Sequence, residues 1–212
     1  MKKILCLAVL SFALLGLGFS QGTPSQDDCL KDVKDKRGVM KPWKKGSRYT
    51  GKYRNVFREA GYRQADIDAK LAKAYYDVFE GPDKVYFEVG DSMAYVTDMK
   101  NHDIRSEGLS YGLMVAVQLN KKGVFDRIWR YAKEYMQHQE GPREAYFAWN
   151  LKPETGAKNA AGSASDGEFY FVTALLFASN RWGNDAGIDY YREARRILDA
   201  MWSKDGTGGV MN

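Results

Sequence analysis

Five stretches of the chain repeat their apolar residues at the three- and four-residue spacing of an α-helix. Longer polar segments containing glycine, proline and aromatic residues separate these stretches, which predicts an all-α domain whose loops could carry a site. One stretch is apolar on almost every side, so we expect that helix to be buried on most of its surface. The predicted helices span residues 64–79, 106–119, 124–137, 166–179 and 189–202.

Two smaller patterns refine this prediction. Val85, Phe87 and Val89 alternate with polar residues, so residues 84–99 are expected to form a short strand or extended segment that contributes little to the fold. Ser165 and Glu168 have the spacing of a capping box, which predicts that a helix begins there.

The N-terminus has the features of a secretory signal. Lys2 and Lys3 precede an apolar run over residues 4–17, and Ser20 offers a small residue at which the signal could be cleaved. A membrane anchor is the alternative, but the run is shorter than the roughly 20 residues that cross a bilayer. We therefore expect a signal peptide at 1–20, a linker or loosely packed segment at 21–46, and a secreted or periplasmic protein.

Charge and metal-binding residues narrow the function. The formal charge is +5, or about +3 without the signal lysines, and positive and negative residues are mixed along the chain, so nucleic acid is not an expected partner. His102 and His138 are the two histidines of the sequence, and no HExxH, GxxxxGK or GxSxG motif occurs. No metal or cofactor is expected, and Cys29 is left without an internal disulfide partner after signal cleavage.

Carboxylates at helix starts are the candidate reactive groups. Glu107 lies in the first predicted turn beside Gly108, where a substrate could approach closely, and Asp166 has a similar position. Each acid could instead simply complement the helix dipole. Arg105 and the helix start both favour an ionised Glu107, so burial or a neighbouring carboxylate would be needed for Glu107 to act as a general acid.

Trp149 adds a candidate sugar-binding surface. It lies in the segment 146–150 outside the helical patterns, where either exposure to ligand or core packing is open. Paired carboxylates beside exposed aromatic rings are what hydrolysis of glycosidic bonds requires.

Three segments, DIRSEGLSYGLMVAVQLNKKGVFDRIW, AYFAW and SASDGEFYFVTALLFASNRWG, together resemble glycoside hydrolase family 8, in particular its reducing-end xylose-releasing exo-oligoxylanases and related xylanases. The resemblance implies an (α/α)6 barrel, an inverting mechanism and Glu107 as the general acid. It also implies that Asp166 binds and distorts the sugar at the cleavage site, that Trp149 stacks on a neighbouring sugar and that Arg105 supports Glu107.

The resemblance further implies that residues 47–212 are the N-terminal half of a catalytic domain. About three of six helix pairs would be present, and the catalytic base would lie beyond residue 212. The family pattern Pro-Asp-Gly-Glu-Glu-Tyr is altered here to Ser165-Asp166-Gly167-Glu168-Phe169-Tyr170, which retains the aspartate.

The function expected is inverting hydrolysis of β-1,4-xylosidic bonds in xylan or xylo-oligosaccharides by a monomer. Cellulose, mixed-linkage glucan and chitosan are alternative substrates within the family. Non-catalytic carbohydrate binding and a purely structural helical domain are the alternatives outside enzymology.

Overall fold

The computed structural model describes residues 54–184 and 187–203. The predicted signal peptide at 1–20, the linker at 21–46 and Cys29 therefore lie outside the described residues. The beginning of the predicted domain, 47–53, and the last nine residues lie outside them as well.

The five predicted helices are confirmed. The first has the predicted bounds, and each of the others differs from its predicted range at one or both ends. A short additional helix precedes them, and a π-helical segment at Ala132–Met136 continues the fourth helix of the chain. The helices are α1 Val56–Glu59, α2 Gln64–Phe79, α3 Ser106–Gln118, α4 Lys122–Tyr131, α5 Ser165–Trp182 and α6 Tyr190–Trp202.

A five-stranded antiparallel sheet lies beside the helices, so the expectation that strand structure would contribute little was wrong. Segment 84–99 supplies two paired strands rather than one, and a pairing of Ile104 with Leu151 joins segments far apart in sequence. The later strands are only two or three residues long, too short to show an alternating pattern. In sheet order the strands are β1 Tyr86–Val89, β2 Met93–Asp98, β3 Asp103–Arg105, β4 Asn150–Leu151 and β5 Lys158–Ala160.

The core lies where α3 packs against α5 and α4 packs against β2. Its centre is aromatic: the Phe147 ring lies 4.5 Å from Phe171 and 5.9 Å from Trp129, measured between ring centroids. All three rings are almost completely buried. Because Phe147 precedes Trp149 by two residues, this cluster anchors the segment that carries Trp149.

Helix α5 is less buried than its composition predicted. Phe171, Val172 and Leu175 face the core, but Phe169 and Phe177 are about half exposed. Together with side chains of α3 they form an exposed apolar strip, defined as Tyr111, Met114, Val115, Phe169, Tyr170 and Phe177. Although α5 is apolar on almost every side, one of its faces is therefore not covered by any of the residues that the structure describes.

Helix α2 presents part of its apolar stripe to solvent. Leu71 and Val78 are exposed, whereas Phe79 is buried. The Phe79 ring stacks on Tyr75 at 4.8 Å.

Among the described helices, none has the length and apolar character that crossing a bilayer requires.

Candidate active site

Two helix starts meet at the centre of the candidate site. A methyl group placed on Gly167 would lie 2.6 Å from Ser106 Oγ, so the first turn of α5 is in close contact with the first turn of α3. Glu107 follows Ser106, and Asp166 precedes Gly167. The glycine contact therefore brings the two predicted acidic residues to neighbouring helix starts.

Glu107 is partly buried and is contacted by a tyrosine from its own helix. The Tyr111 hydroxyl donates a hydrogen bond to Glu107 Oε1 at 3.2 Å. Desolvation, and then the negative charge of Glu107, raise the pKa of Tyr111; Asp166 contributes in the same direction. The charges of both acids therefore act on Tyr111.

Asp166 is exposed, unlike Glu107. Its Oδ1 accepts a hydrogen bond from the backbone N–H of Gly167 at 2.9 Å. Its helix continues with Tyr170, whose ring meets the Tyr111 ring edge-on at 4.9 Å. Asp166 is thus available to a ligand from solvent and is close to the tyrosine that binds Glu107.

Trp149 is exposed to 36% and immediately precedes strand β4. Its carbonyl accepts from Ser106 N at 3.0 Å, and its own N–H donates to Gly162 O at 2.8 Å. The first bond ties Trp149 directly to the start of α3, one residue from Glu107. Of the two interpretations left open, exposure fits the structure and core packing does not.

Arg105 contacts Trp149 rather than Glu107. Its guanidinium carbon lies 5.7 Å from the Trp149 ring centroid, within the range of a cation–π interaction. Nε and Nη2 bind the two carboxylate oxygens of Asp103 at 2.9 and 3.2 Å, and this hydrogen bonding is the main cause of a raised Arg105 pKa. Glu107 acts on Arg105 only through its charge, as the weakest contribution. Arg105 is therefore held in place mainly by Asp103.

A polar network holds Asp103 in turn. Asn150 Nδ2 donates to Asp103 Oδ2 at 2.6 Å, and Asn159 Nδ2 donates to Asn150 Oδ1 at 2.8 Å. Strands β3, β4 and β5 each supply one member. The short strands thus fix the arginine that lies against the exposed indole.

The predicted capping box is wrong. Ala164 precedes the helix and makes no side-chain cap, while Ser165 is its first residue. Glu168 is buried instead, with 0% of its surface exposed, and its Oε1 accepts from Phe147 N at 3.1 Å. The tertiary partner displaces the local cap because the helix start packs into the core.

The expectation about Gly108 is also wrong. The side of its backbone that lacks a side chain faces Val96 in the core, where a methyl group would lie at 3.8 Å. A substrate does not approach through that space. Gly167, which drew no attention in the sequence, makes the close contact at this site.

Sequence reasoning missed Tyr111, Tyr170 and Asp103. Both tyrosines follow an acid by four residues on the same helix, Glu107 in one case and Asp166 in the other. Residues at that spacing lie on one helix face, so the signal was present. Asp103 depended on strand pairing that the sequence did not reveal.

The exposed apolar strip continues from the two tyrosines. A surface groove of about 410 Å³ runs along it, lined by Met114, Gln118, Phe169, Tyr170, Thr173 and Phe177.

Among the described residues there is no group of three side chains placed to hold a metal ion.

The model of the family "Glycosyl hydrolases family 8" matches residues 92–205, more than half of the chain. The chain belongs to glycosyl hydrolase family 8. That family has an (α/α)6 barrel fold, and the described part of this chain is rich in helix with a small antiparallel sheet. The matched range contains all four predicted site residues.

Several relatives carry names that specify a substrate. The chain is 50% identical over 159 residues to the reducing-end xylose-releasing exo-oligoxylanase Rex8A of Paenibacillus barcinonensis, covering 74% of this chain and 42% of that protein. It is 43% identical over 182 residues to a reducing end xylose-releasing exo-oligoxylanase of Halalkalibacterium halodurans, covering 78% and 47%. Endoglucanase A of Acetivibrio thermocellus is 30% identical over 106 residues, covering 49% of this chain and 21% of that protein.

A solved structure of one of these relatives is also similar to this chain. Rex8A of Paenibacillus barcinonensis in complex with xylose superimposes with a TM-score of 0.70 at 48% identity, covering 77% of this chain and 44% of that one. The chain thus spans less than half the length of these oligoxylanases.

Proposed function

We propose that this chain supplies the acid-bearing half of an inverting hydrolase that cleaves β-1,4-xylosidic bonds in xylan or xylo-oligosaccharides. The observation that carries the proposal is the meeting of Glu107 and Asp166 at two helix starts in close contact, beside an exposed indole. Identity of 50% to an exo-oligoxylanase supports the choice of xylose units.

Glu107 acts as the general acid. Its carboxyl protonates the departing glycosidic oxygen while a water molecule attacks the anomeric carbon from the opposite face. The Tyr111 hydrogen bond holds the carboxyl group in one orientation.

Asp166 and Trp149 bind the sugar. Asp166 is exposed and offers a carboxylate oxygen to sugar hydroxyl groups, while the Trp149 indole offers a flat apolar face for stacking. Arg105 supports this arrangement by holding the Trp149 ring.

We place the catalytic base outside the residues that the structure describes. An inverting enzyme needs a second carboxyl group about 6.5–9.5 Å from the acid, with room for water between them. Asp166 is assigned to the sugar, so we place the base in a second set of helices that completes the barrel. The exposed apolar strip supports this, because an apolar surface of that kind is normally covered by another part of a domain or by a partner.

Export is part of the proposal. A chain with a cleaved signal at 1–20 would act in the periplasm or outside the cell, where polysaccharide is available. N-terminal sequencing of the mature protein tests it: a start near residue 21 supports export, and a retained Met1 contradicts it.

The decisive experiment uses the complete protein. Xylo-oligosaccharides, xylan, cello-oligosaccharides and chitosan are assayed with the wild type, Glu107→Ala and the exposed control Glu134→Ala. We expect xylo-oligosaccharides to be cleaved fastest, with turnover lost in Glu107→Ala and kept in Glu134→Ala. Undiminished turnover in Glu107→Ala would refute the acid assignment.

Cleavage of another β-1,4-glycan is the second candidate, and the endoglucanase relatives favour it. The same panel separates the two candidates: faster cleavage of cello-oligosaccharides than of xylo-oligosaccharides would replace the xylan proposal. Binding of xylan without turnover by the complete protein would instead support a carbohydrate-binding role.

A further inference from the structure

Glu168 is a fully buried carboxyl group for which the proposed reaction has no use. It is the fourth residue of α5, two positions after Asp166, and none of its surface is exposed. Oε1 accepts the Phe147 amide hydrogen at 3.1 Å. Oε2 has no hydrogen-bond partner among the residues that the structure describes. A group that is so costly to bury invites an explanation.

Its partner lies in the segment that presents the exposed indole. Along that segment, Ala148 N donates to Met136 O and Trp149 N donates to Gly162 O, so the neighbouring amides have backbone partners. The Phe147 amide has a side-chain partner instead. The Glu168 bond is thus a direct link between the Trp149 segment and the helix start that carries Asp166.

We propose that Glu168 is a positioning residue that holds the Phe147–Trp149 segment against the first turn of α5 and thereby sets the spacing of Trp149 and Asp166. Asp166 is assigned to the sugar at the cleavage site and Trp149 to a neighbouring sugar of the same substrate, so a shift of one residue against the other weakens substrate binding. The kinetic part of this inference rests on the proposed function, whereas the structural link does not.

The buried position of Glu168 also shifts its pKa. Burial is the main cause of a rise in its pKa to about 7; backbone hydrogen bonds, that of Phe147 first, oppose the rise, and the charge of Asp166 adds to it. Tyr146 lies in the opposite segment, and its pKa is raised first by burial and then by the charge of Glu168. Either protonation state retains an Oε1 that can accept from Phe147.

The test compares three variants of the complete protein. Glu168→Leu removes the acceptor, whereas Glu168→Gln keeps a carbonyl oxygen in place and removes the charge. The control is Glu193→Gln, which alters another buried carboxylate; Glu193 lies on α6 and its Oε1 accepts a hydrogen bond from Lys133 Nζ. Amide hydrogen exchange at Phe147 and the KM and kcat for xylo-oligosaccharides are measured for each.

In Glu168→Leu we expect protection of the Phe147 amide to fall and KM to rise about fivefold, the factor that corresponds to one lost hydrogen bond. We expect kcat to change much less, because Glu107 and Tyr111 remain. In Glu168→Gln both protection and KM are expected to stay close to wild type, and in Glu193→Gln the site is unaffected.

Unchanged protection and KM in Glu168→Leu would overturn the inference, even if the variant melted at a lower temperature. Should Glu168→Leu not fold, Glu168→Asp tests the same point, because the shorter side chain withdraws the acceptor from Phe147. Failure of the proposed function is distinguishable: turnover would then survive Glu107→Ala, while amide exchange at Phe147 would still report on Glu168.

Discussion

Helices α3 and α5 begin with nearly the same four residues and use them differently. One starts Ser106-Glu107-Gly108-Leu109 and the other Ser165-Asp166-Gly167-Glu168. In both, the acid comes second and a tyrosine follows it by four positions. The first acid is partly buried and bound by its tyrosine, whereas the second is exposed and bound by the next backbone amide.

The difference arises from what each start packs against. Gly108 faces Val96 with ordinary spacing, whereas Gly167 is pressed against Ser106. At the fourth position Leu109 and Glu168 are equally buried, but one is apolar and the other is a carboxyl group. Nearly the same local sequence thus gives a partly buried carboxyl group at one start, the proposed proton donor, and an exposed one at the other, the proposed sugar ligand, because tertiary contacts set burial and partners.

The fourth position gives the largest expected effect on stability. Burial raises the pKa of Glu168 from an unfolded value near 4.5 to about 7, so the folded state prefers the protonated acid. Stability from this preference is complete below pH 4.5 and is lost as the pH rises through 7. Glu168→Gln should therefore gain roughly 2–3 kcal/mol relative to wild type between pH 5 and pH 8.

Urea unfolding at several pH values measures this gain. Leu109→Met is the control, because Leu109 holds the matching position in α3 and has no titratable group. Its difference in stability from wild type should not depend on pH. A gap between Glu168→Gln and wild type that stays constant with pH would show that Glu168 does not titrate in this range.

The third position distinguishes the two starts by steric fit. Gly167→Ala places a methyl group 2.6 Å from Ser106 Oγ and 2.9 Å from Ser106 Cβ, so one helix start must move. We expect a loss of about 2 kcal/mol, typical of overpacking. Gly108→Ala, with its nearest neighbour at 3.8 Å, should be neutral or slightly stabilising. Equal effects of the two substitutions in urea unfolding would mean that the starts are not in the close contact described.

The tyrosines give the smallest effect. Tyr111→Phe removes the hydroxyl that binds Glu107 Oε1, a partly exposed bond worth about 1 kcal/mol, so turnover by the complete protein should fall about fivefold. Tyr170→Phe, whose ring contacts Tyr111 only by its edge, should have the smaller effect. A larger loss of turnover in Tyr170→Phe than in Tyr111→Phe would show that Tyr111 is not the tyrosine that orients Glu107.

The sequence predicted the helices well because each is a local pattern of ten or more residues. It did not predict the sheet, because β3, β4 and β5 have two or three residues each and the pairing of β3 with β4 joins segments far apart in sequence. Trp149 and Asp166 were found as isolated residues. The spacing between Trp149 and Asp166 was not predicted, since it depends on the contact of Gly167 with Ser106 and on the hydrogen bond from Phe147 N to Glu168. The predicted capping box was wrong because Glu168 makes that tertiary hydrogen bond instead of a local cap.

The assignment of Glu107 as the proton donor is tested most directly by leaving-group dependence in the complete protein. Turnover of a xylo-oligosaccharide and of an aryl xylo-oligosaccharide with a strongly acidic phenol is compared for wild type and Glu107→Ala. A departing phenolate of low basicity needs no proton, so the variant should lose about 10²- to 10⁴-fold on the natural substrate and far less on the aryl substrate. Equal losses on both substrates, or no loss on either, would contradict the account.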